Sequence, residues 1–495
     1  MRIFRILATV AVCLLLTVGL AACKEKPENV RSITLSVQTE QDLQQLEQYP
    51  NLQQVDLRGS NCYEAILAYA EAHPQVEVTY DVELGGTRYD NRTESLTYRG
   101  DSLGGEQLWQ DLQYLPSVTK VEVPDDTLAP SQLRSLVEKY PAVSFCYSVE
   151  IAGRRYGADT TQLDLSEVDP AYLESVIPAA GALVKLQEVK LNRADGSSVY
   201  SMAQVKKLMD ALPGVTVHYS FVLYGKTVST TDERVEFVKV DIGNGGVSRI
   251  REALDILPNC TYFKLDRCGI DDLTMEKLRD DYPEVKIVWR IFFAYYNCLT
   301  DTEVLRCINK LDDENVKPLK YCTDVKYMDF GHNVGLKNFE FLNYMPKLEI
   351  VIVVDSDIES LEPFTNCPNL QWLEIVNCQK LRDLSPLAKC NNLKGVNIAA
   401  NPNLRDLTPL YELKNLERLF LGDKKLSKKQ LEEAQAALPN TWITQARRSS
   451  EMVSYNYSYG WRLEKDGSRA EWYLFVRKIF RYDENYYNHY LKDGQ

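Results

Sequence analysis

The sequence predicts an α/β solenoid, in which short parallel strands from successive repeats form one curved sheet. Three observations favour this fold class. Strand-like segments recur every 22 or 23 residues in the second half of the chain, and four looser units of about 65 to 70 residues precede them. Five helix-like stretches also end close to a proline. Regular repetition on this scale is typical of repeat proteins, because one unit cannot bury its apolar face alone.

The short repeats share the pattern L-x-x-L-x-L. Their strands begin at Val325, Leu348, Leu370, Leu393 and Leu416. In the fourth repeat the apolar positions are followed by Asn401, and Cys378 holds the same place one repeat earlier. The segments "DLSPL" at 383–387 and "DLTPL" at 406–410 complete the pattern. These residues resemble the leucine-rich repeat, and the proline-containing segments are similar to the short repeats of bacterial internalins. The resemblance covers 318–445 and is looser over 32–297.

The upstream units lie near 32–92, 93–158, 159–231 and 232–297, and each carries two helical stretches and a strand pair. Helices are expected to end before prolines 74, 141, 213, 283 and 439, because proline disfavours helical geometry at the preceding residue. Candidate N-caps stand twelve residues before these prolines, at Cys62, Ala129, Ser201, Asp271 and Ser427. We expect 298–324 to be a connector, 325–415 to hold the leucine-rich repeats, and 416–445 to form a closing helical repeat.

The N-terminus reads as a secretory signal over residues 1–22, with Arg2 and Arg5 before an apolar run. It ends in Leu20-Ala21-Ala22-Cys23, which looks like the bacterial lipobox. That resemblance implies lipidation of Cys23, a tether over 23–31, and a place on the extracytoplasmic face of the bacterial cell membrane, held by acyl chains. An ordinary secretory signal with a chance cysteine is the alternative.

The charge balance argues against nucleic acid as a partner. The chain carries a formal net charge of −13, and removal of residues 1–22 takes away two further positive charges. An acidic body is repelled by phosphates, and no basic block offsets this charge.

Residues between the strand leucines are expected on the concave face of the sheet, in columns spaced by about 4.8 Å. One column is Tyr327, Ile350, Trp372, Gly395 and Arg418, and the next is Asp329, Ile352, Glu374, Asn397 and Phe420. Val354, His332, Asp355 and Asn377 flank them. The apolar members would form an unusually large patch, which marks either a binding site or a surface covered by another part of the chain. The predicted partner-binding residues are Tyr327, Asp329, His332, Ile350, Ile352, Val354, Trp372, Glu374, Asn377, Asn397, Arg418 and Phe420.

The candidate for that cover is the aromatic-rich segment 446–495. Its residues Trp472, Phe475, Val476, Ile479 and Phe480 have helical spacing and predict one buried face. We interpret the segment as a C-terminal cap, since solenoids need covered ends. A stacking platform for glycans or peptides, built from Tyr455, Tyr457, Tyr459, Trp461, Tyr486, Tyr487 and Tyr490, is the alternative.

The cysteines predict core positions rather than metal sites. Seven of them, Cys62, Cys260, Cys268, Cys322, Cys367, Cys378 and Cys390, fall at core positions of the repeats, and a disulfide between Cys298 and Cys307 stays open. No motif with catalytic spacing is present, so we expect neither a cofactor nor an enzyme. The sequence predicts a membrane-anchored module that binds a protein or a wall glycan. A cell-envelope hydrolase acting on peptidoglycan or peptides is the alternative.

Overall fold

The computed structural model describes residues 26–100, 104–422, 426–445 and 461–483. The chain divides into two compact bodies, one ending at Tyr219 and the other beginning at Ser220. Both bodies alternate strands and helices. No helix among the described residues is long and apolar enough to cross a membrane.

The first body contains three small parallel sheets, each with three strands in chain order. A β-hairpin follows each of the first two sheets. The sheets are β1 Ser32–Thr34, β2 Gln54–Asp56 and β3 Glu77–Thr79; β6 Ser95–Thr97, β7 Lys120–Glu122 and β8 Ser144–Cys146; and β11 Gln162–Asp164, β12 Glu188–Lys190 and β13 Thr216–His218. The hairpins are β4 Asp81–Leu84 with β5 Thr87–Asp90, and β9 Ser148–Ile151 with β10 Arg154–Gly157. The helices are α1 Glu40–Gln44, α2 Tyr63–Ala72, α3 Glu106–Asp111, α4 Pro130–Lys139, α5 Leu173–Gly181 and α6 Met202–Ala211.

The second body opens with a hairpin and one more parallel sheet. The hairpin is β14 Ser220–Leu223 with β15 Lys226–Ser229. The sheet comprises β16 Arg234–Val238, β17 Tyr262–Asp266 and β18 Lys286–Phe293, and its helices are α7 Val247–Leu254 and α8 Asp272–Asp281. Strand β18 runs on into an antiparallel pair with β19 Tyr296–Leu299.

A seven-stranded parallel sheet follows, with every strand paired to its neighbours in chain order. Its strands are β20 Val304–Arg306, β21 Tyr327–Asp329, β22 Ile350–Val354, β23 Trp372–Val376, β24 Gly395–Asn397, β25 Arg418–Phe420 and β26 Trp442–Thr444. The expected short repeats are therefore adjacent and aligned. Strand β20 lies inside 298–324, so that segment is not only a connector. The repeat pattern is weak there, because Thr302 and Cys307 stand at two of its three apolar strand positions.

Each short repeat returns through a 3₁₀ helix or, at the end, through α9 Lys428–Ala437. The "DLSPL" and "DLTPL" segments explain two of these turns. The Asp383 carboxylate accepts a hydrogen bond from the Ser385 N–H at 2.8 Å, and Asp406 accepts one from Thr408 at 2.9 Å. Proline then occupies the first helical turn, where its missing N–H costs nothing. The remaining helix, α10 Glu471–Ile479, belongs to the C-terminal segment.

Helix boundaries follow the predicted caps. Helices α2, α4, α6, α8 and α9 begin after Cys62, Ala129, Ser201, Asp271 and Ser427, and each ends two residues before its proline. The Ser201, Asp271 and Ser427 side chains accept from the N–H three residues later. The prediction of one strand pair per upstream unit is incomplete. Each of the four upstream units contains three parallel strands.

In the core of the second body, buried polar side chains form a ladder along the repeats. Asn401 donates to the carbonyls of Ile375 and Ile398 at 2.7 and 3.0 Å, and its own oxygen accepts from the Cys378 N–H. Asn333 makes equivalent bonds to Cys307 and Phe330. These buried amides satisfy backbone groups that the turn leaves open.

Candidate binding face

The two predicted columns lie side by side on one face of the seven-stranded sheet. Tyr327 pairs with Ile350, Ile350 with Trp372, Trp372 with Gly395, and Gly395 with Arg418. The second column pairs two residues further along each strand. We call the side of the sheet that carries these residues the column face: Tyr327, Ile350, Trp372, Gly395 and Arg418 with Asp329, Ile352, Glu374, Asn397 and Phe420.

The column face is not open, because residues 461–483 lie over it. Ile350 and Ile352 are only 5% exposed and Phe420 is 1% exposed. We call 461–483 the covering segment. It contributes the buried residues Trp461, Ala470, Trp472, Tyr473, Val476 and Phe480, and Tyr327, Val354 and Trp372 pack against the same cluster. The segment thus covers the sheet face and reaches the last strand of the array, where Lys465 Nζ lies 5.5 Å from the centre of the Trp442 ring.

Aromatic rings carry the centre of this contact. The Trp372 and Trp472 rings stack with centroids 4.7 Å apart, and Trp461 lies 4.6 Å from Trp472. Tyr327 meets Phe475 edge to face at 5.3 Å. Large aromatic side chains contribute much of the apolar area in such contacts.

Beneath this cluster, the sheet places a carboxylate and a guanidinium from neighbouring strands in the interior. Asp329 accepts a 2.6 Å hydrogen bond from the Tyr482 hydroxyl, and Arg306 donates to the Phe480 carbonyl at 3.0 Å. Arg306 and Asp329 themselves lie 3.9 Å apart. Burial raises the pKa of the Asp329 carboxyl, and the Tyr482 hydrogen bond and Arg306 oppose that rise. Part of the covering segment thus binds to the polar groups of β20 and β21.

A second carboxylate, Glu374, is buried at the middle of the column face. Asn397 donates to its Oε2 at 3.3 Å, and the Arg462 guanidinium of the covering segment lies 3.8 Å from the same atom. Burial raises the pKa of Glu374, while Arg462 acts in the opposite direction. A buried carboxylate with such loose pairing weakens the contact that covers it.

At the far end of the column face, Arg418 forms an ion pair with Glu464 of the covering segment. Beside it an open cleft of about 450 Å³ lies between the sheet and α10. Trp372 borders this cleft, but one face of its ring stacks on Trp472. A Cβ at Gly395 would lie 2.0 Å from Trp372 Cε3, so the six-membered ring of this indole lies directly against Gly395. The face that stacks on Trp472 is therefore not open for stacking a sugar.

Three of the flanking residues, His332, Asp355 and Asn377, form a separate row where the strands end, while Val354 packs against the covered cluster. His332 and Asp355 are joined by a 2.5 Å contact between Nδ1 and Oδ2, and Asn377 donates to the other Asp355 oxygen at 2.5 Å. These residues and Ala400 have φ between 53° and 59°. Asparagine, aspartate and histidine tolerate this left-handed region better than most residues.

Several residues of the contact were missed by sequence reasoning. Arg306 lies on the unpredicted strand β20, and Arg462, Glu464 and Tyr482 carry polar signals that no periodicity identifies. Gly395 was recognised as a column member, but not as the place where an indole rests. Its signal was the absence of a side chain between Trp372 and Arg418 in the column.

Some predictions fall outside the described residues: lipidation at Cys23, the signal over 1–22, and the tyrosines at 455, 457, 459, 486, 487 and 490. Among the cysteines, Cys260, Cys268, Cys322, Cys367, Cys378 and Cys390 are buried as predicted. The prediction that Cys62 is a core residue is wrong, because Cys62 is the half-exposed N-cap of α2. Cys298 and Cys307 are not disulfide-bonded, and Cys298 Sγ lies 3.7 Å from Cys322 Sγ.

Comparison with known proteins finds solved structures that are similar to this chain only at low sequence identity. No family model and no curated protein matches the sequence. Among solved structures, the chain is similar to internalin C2 of Listeria monocytogenes, with 20% identity, 45% of this chain and 86% of that chain covered, and a TM-score of 0.26. It is similar to internalin F of the same organism, with 14% identity, coverage of 85% and 83%, and a TM-score of 0.24. A leucine-rich repeat protein of Leptospira interrogans shares 14% identity, with coverage of 84% and 96% and a TM-score of 0.27. The repeat architecture therefore rests on the strand register and the asparagine ladder of the chain itself.

Proposed function

We propose that this chain is a bacterial leucine-rich repeat protein that binds a protein or a wall polymer through its column face. The observation that carries the proposal is the burial of this aligned aromatic and charged surface beneath one short segment. Charged side chains are rarely buried unless they are paired, so several of them on one covered sheet face are unusual for a face that serves the fold alone. The column face combines Trp372 and Ile350 with Asp329, Glu374 and Arg418, so a ligand on it would meet apolar, acidic and basic groups together.

The proposal places the protein on the extracytoplasmic face of the membrane, held by acyl chains on Cys23. The support is the apolar run that ends in Leu20-Ala21-Ala22-Cys23. Acyl chains contribute about 0.8 kcal/mol per buried methylene, so two chains hold a body without a spanning helix. Cys23→Ala should move the protein from the membrane to the soluble fraction, and should abolish incorporation of labelled fatty acid. An unlabelled wild-type protein would contradict lipidation.

Capture from intact envelopes tests the binding function. Trp372→Ala or Ile350→Ala would disturb both the face and its cover, so the informative change is on the segment: Trp472→Ala. We expect this variant to capture more envelope material than the wild-type chain, because the face becomes accessible. Adding Glu374→Ala and Ile352→Ala to it should remove that gain. Equal capture by all three proteins would contradict binding at the column face.

The hydrolase alternative stays a prediction with a narrow basis. The described arrangement that most resembles a base held by a carboxylate is His332 with Asp355. The second Asp355 oxygen is occupied by Asn377, so the three residues form a surface ladder. Turnover of peptidoglycan or peptides by the purified chain, lost in His332→Ala, would favour the alternative.

A further inference from the structure

We propose that the covering segment is an internal ligand, and that the column face is a receptor for peptide segments that carry tryptophan, arginine and tyrosine. This inference rests on the proposed function and names the partner class. Residues 461–483 would occupy the site in the resting protein, and an external peptide of similar chemistry would displace them.

The covering segment contacts several strands of the sheet in turn. Glu464 contacts Arg418 on β25, Trp472 stacks on Trp372 on β23, and Phe475 meets Tyr327 on β21. Phe480 then accepts from Arg306 on β20. From Glu464 to Phe480 the contacts thus run from late to early strands, while Arg462 before them lies near Glu374 on β23 and Tyr482 after them returns to Asp329 on β21. Peptide ligands that lie across an elongated face make contacts in this sequential manner.

The buried charged groups of the column face indicate which ligands would fit it. Asp329 and Glu374 are buried carboxylates, and the groups that the segment brings to them are a tyrosine hydroxyl and an arginine guanidinium. Arg306 donates a hydrogen bond to a main-chain carbonyl, a group that every peptide possesses. Buried charges must be paired by whatever covers them. An anionic polymer would place like charge on Asp329 and Glu374, and is therefore disfavoured.

The covering segment has little regular structure of its own. Its described regular structure is the nine-residue helix α10 and one isolated bridge between Leu463 and Arg469. Helices of this length are marginal alone, so the segment depends on the sheet for its order. The 3.8 Å approach of Arg462 to Glu374 adds little to the binding. An external peptide with better pairing at this carboxylate could compete.

The test uses the full chain and a fluorescent peptide of residues 461–483 added in trans. Fluorescence anisotropy should show at least tenfold tighter binding to the Trp472→Ala chain than to the wild-type chain, whose own segment occupies the face. A peptide carrying the Trp472→Ala change serves as the matched control and should bind at least tenfold more weakly. Glu464→Ala, which removes the ion pair with Arg418 and changes no aromatic ring, provides a second chain variant should Trp472→Ala fail to fold.

Absence of peptide binding to both folded variants would overturn the inference, as would equal competition by polyglutamate. Peptide binding without any capture from envelopes would uphold the receptor site and reject the external partner of the proposed function. The two proposals are therefore distinguishable.

Discussion

The indole of Trp372 lies parallel to that of Trp472, at an interplanar angle of 11° and a centroid distance of 4.7 Å. The six-membered ring of Trp372 also lies against the bare Cα of Gly395. Sheet, ring and covering helix therefore form a stack of three layers. The absence of a side chain at Gly395 is what allows the middle layer to lie flat.

Gly395→Ala should loosen the covering segment. The added Cβ would lie 2.0 Å from Trp372 Cε3 and 2.2 Å from Cζ3, so the indole must move away from the sheet. We expect a loss of about 1–3 kcal/mol in the free energy of unfolding, typical of overpacking. Tryptophan emission should shift to the red, and limited proteolysis should cut within 461–483.

Gly245→Ala is the control for this change. Gly245 has no heavy atom within 4 Å of the added Cβ and no positive φ. Its emission and proteolysis pattern should match those of the wild-type protein. Similar behaviour of the two alanine variants would contradict the stacked arrangement.

The sequence was sufficient for the repeats and their register, but not for the cover. Leucines at 22- or 23-residue steps determine which residues share a column, because a parallel ladder aligns equivalent positions. The place of residues 461–483 depends instead on long-range contacts such as Tyr482 with Asp329, which are separated by 153 residues. Periodicity predicts that α10 has an apolar face, yet it contains no information on which surface receives that face.

Glu374→Gln should stabilise the protein at neutral pH. Burial raises the pKa of the Glu374 carboxyl in the folded state, so folding is favoured by the proton and disfavoured by the charge. The stability that the protonated carboxyl confers is fully present below the unfolded pKa, about 4.3, and is lost as pH rises through the folded pKa. Glutamine keeps the shape without the charge, so the free energy of unfolding at pH 7 should be higher for the variant than for the wild-type protein.

Urea unfolding between pH 4 and pH 8 measures this effect. The difference between Glu374→Gln and the wild-type protein should be small near pH 4 and should grow as pH rises. Glu471→Gln, an exposed carboxylate on α10, should show no such growth. A gap that narrows with rising pH would contradict the burial of a costly charge at Glu374.

Ala400→Asn should stabilise the second body. Ala400 has φ of 58°, and Asn377 holds the equivalent position one repeat earlier with φ of 56°. The left-handed region costs an ordinary residue about 1–2 kcal/mol, and asparagine tolerates it better. We expect a gain of about 0.5–1 kcal/mol in urea unfolding. The reciprocal change, Asn377→Ala, should lower stability, because it also removes the hydrogen bond to Asp355. Loss of stability in Ala400→Asn would contradict the conformational argument.

Sequence reasoning about cysteines succeeded where the repeat register was firm. Cys367 and Cys390 each occupy the place held by Met345 and Leu413 in sister repeats, and both are buried. At Cys62 the predicted register was wrong by one residue. An apolar core position directly precedes each helix N-cap, and Cys62 was assigned to the core position although it is the N-cap. The neighbour of Cys298 was missed for another reason: Cys322 belongs to the next repeat, and only packing brings the two thiols together.

Thiol labelling should follow this burial pattern. Cys62 and Cys146 are half-exposed, whereas the other eight described cysteines are buried. Burial raises the pKa of Cys367 and Cys378 to about 12 and that of Cys390 to about 11, so their reactive thiolate form is scarce. Iodoacetamide at pH 8, followed by peptide mapping, should modify Cys62 and Cys146 first and the buried set only in denaturant. Rapid native labelling of Cys367 or Cys378 would contradict the packing of the repeats, because these thiols lie between the sheet and the return segments that close each turn.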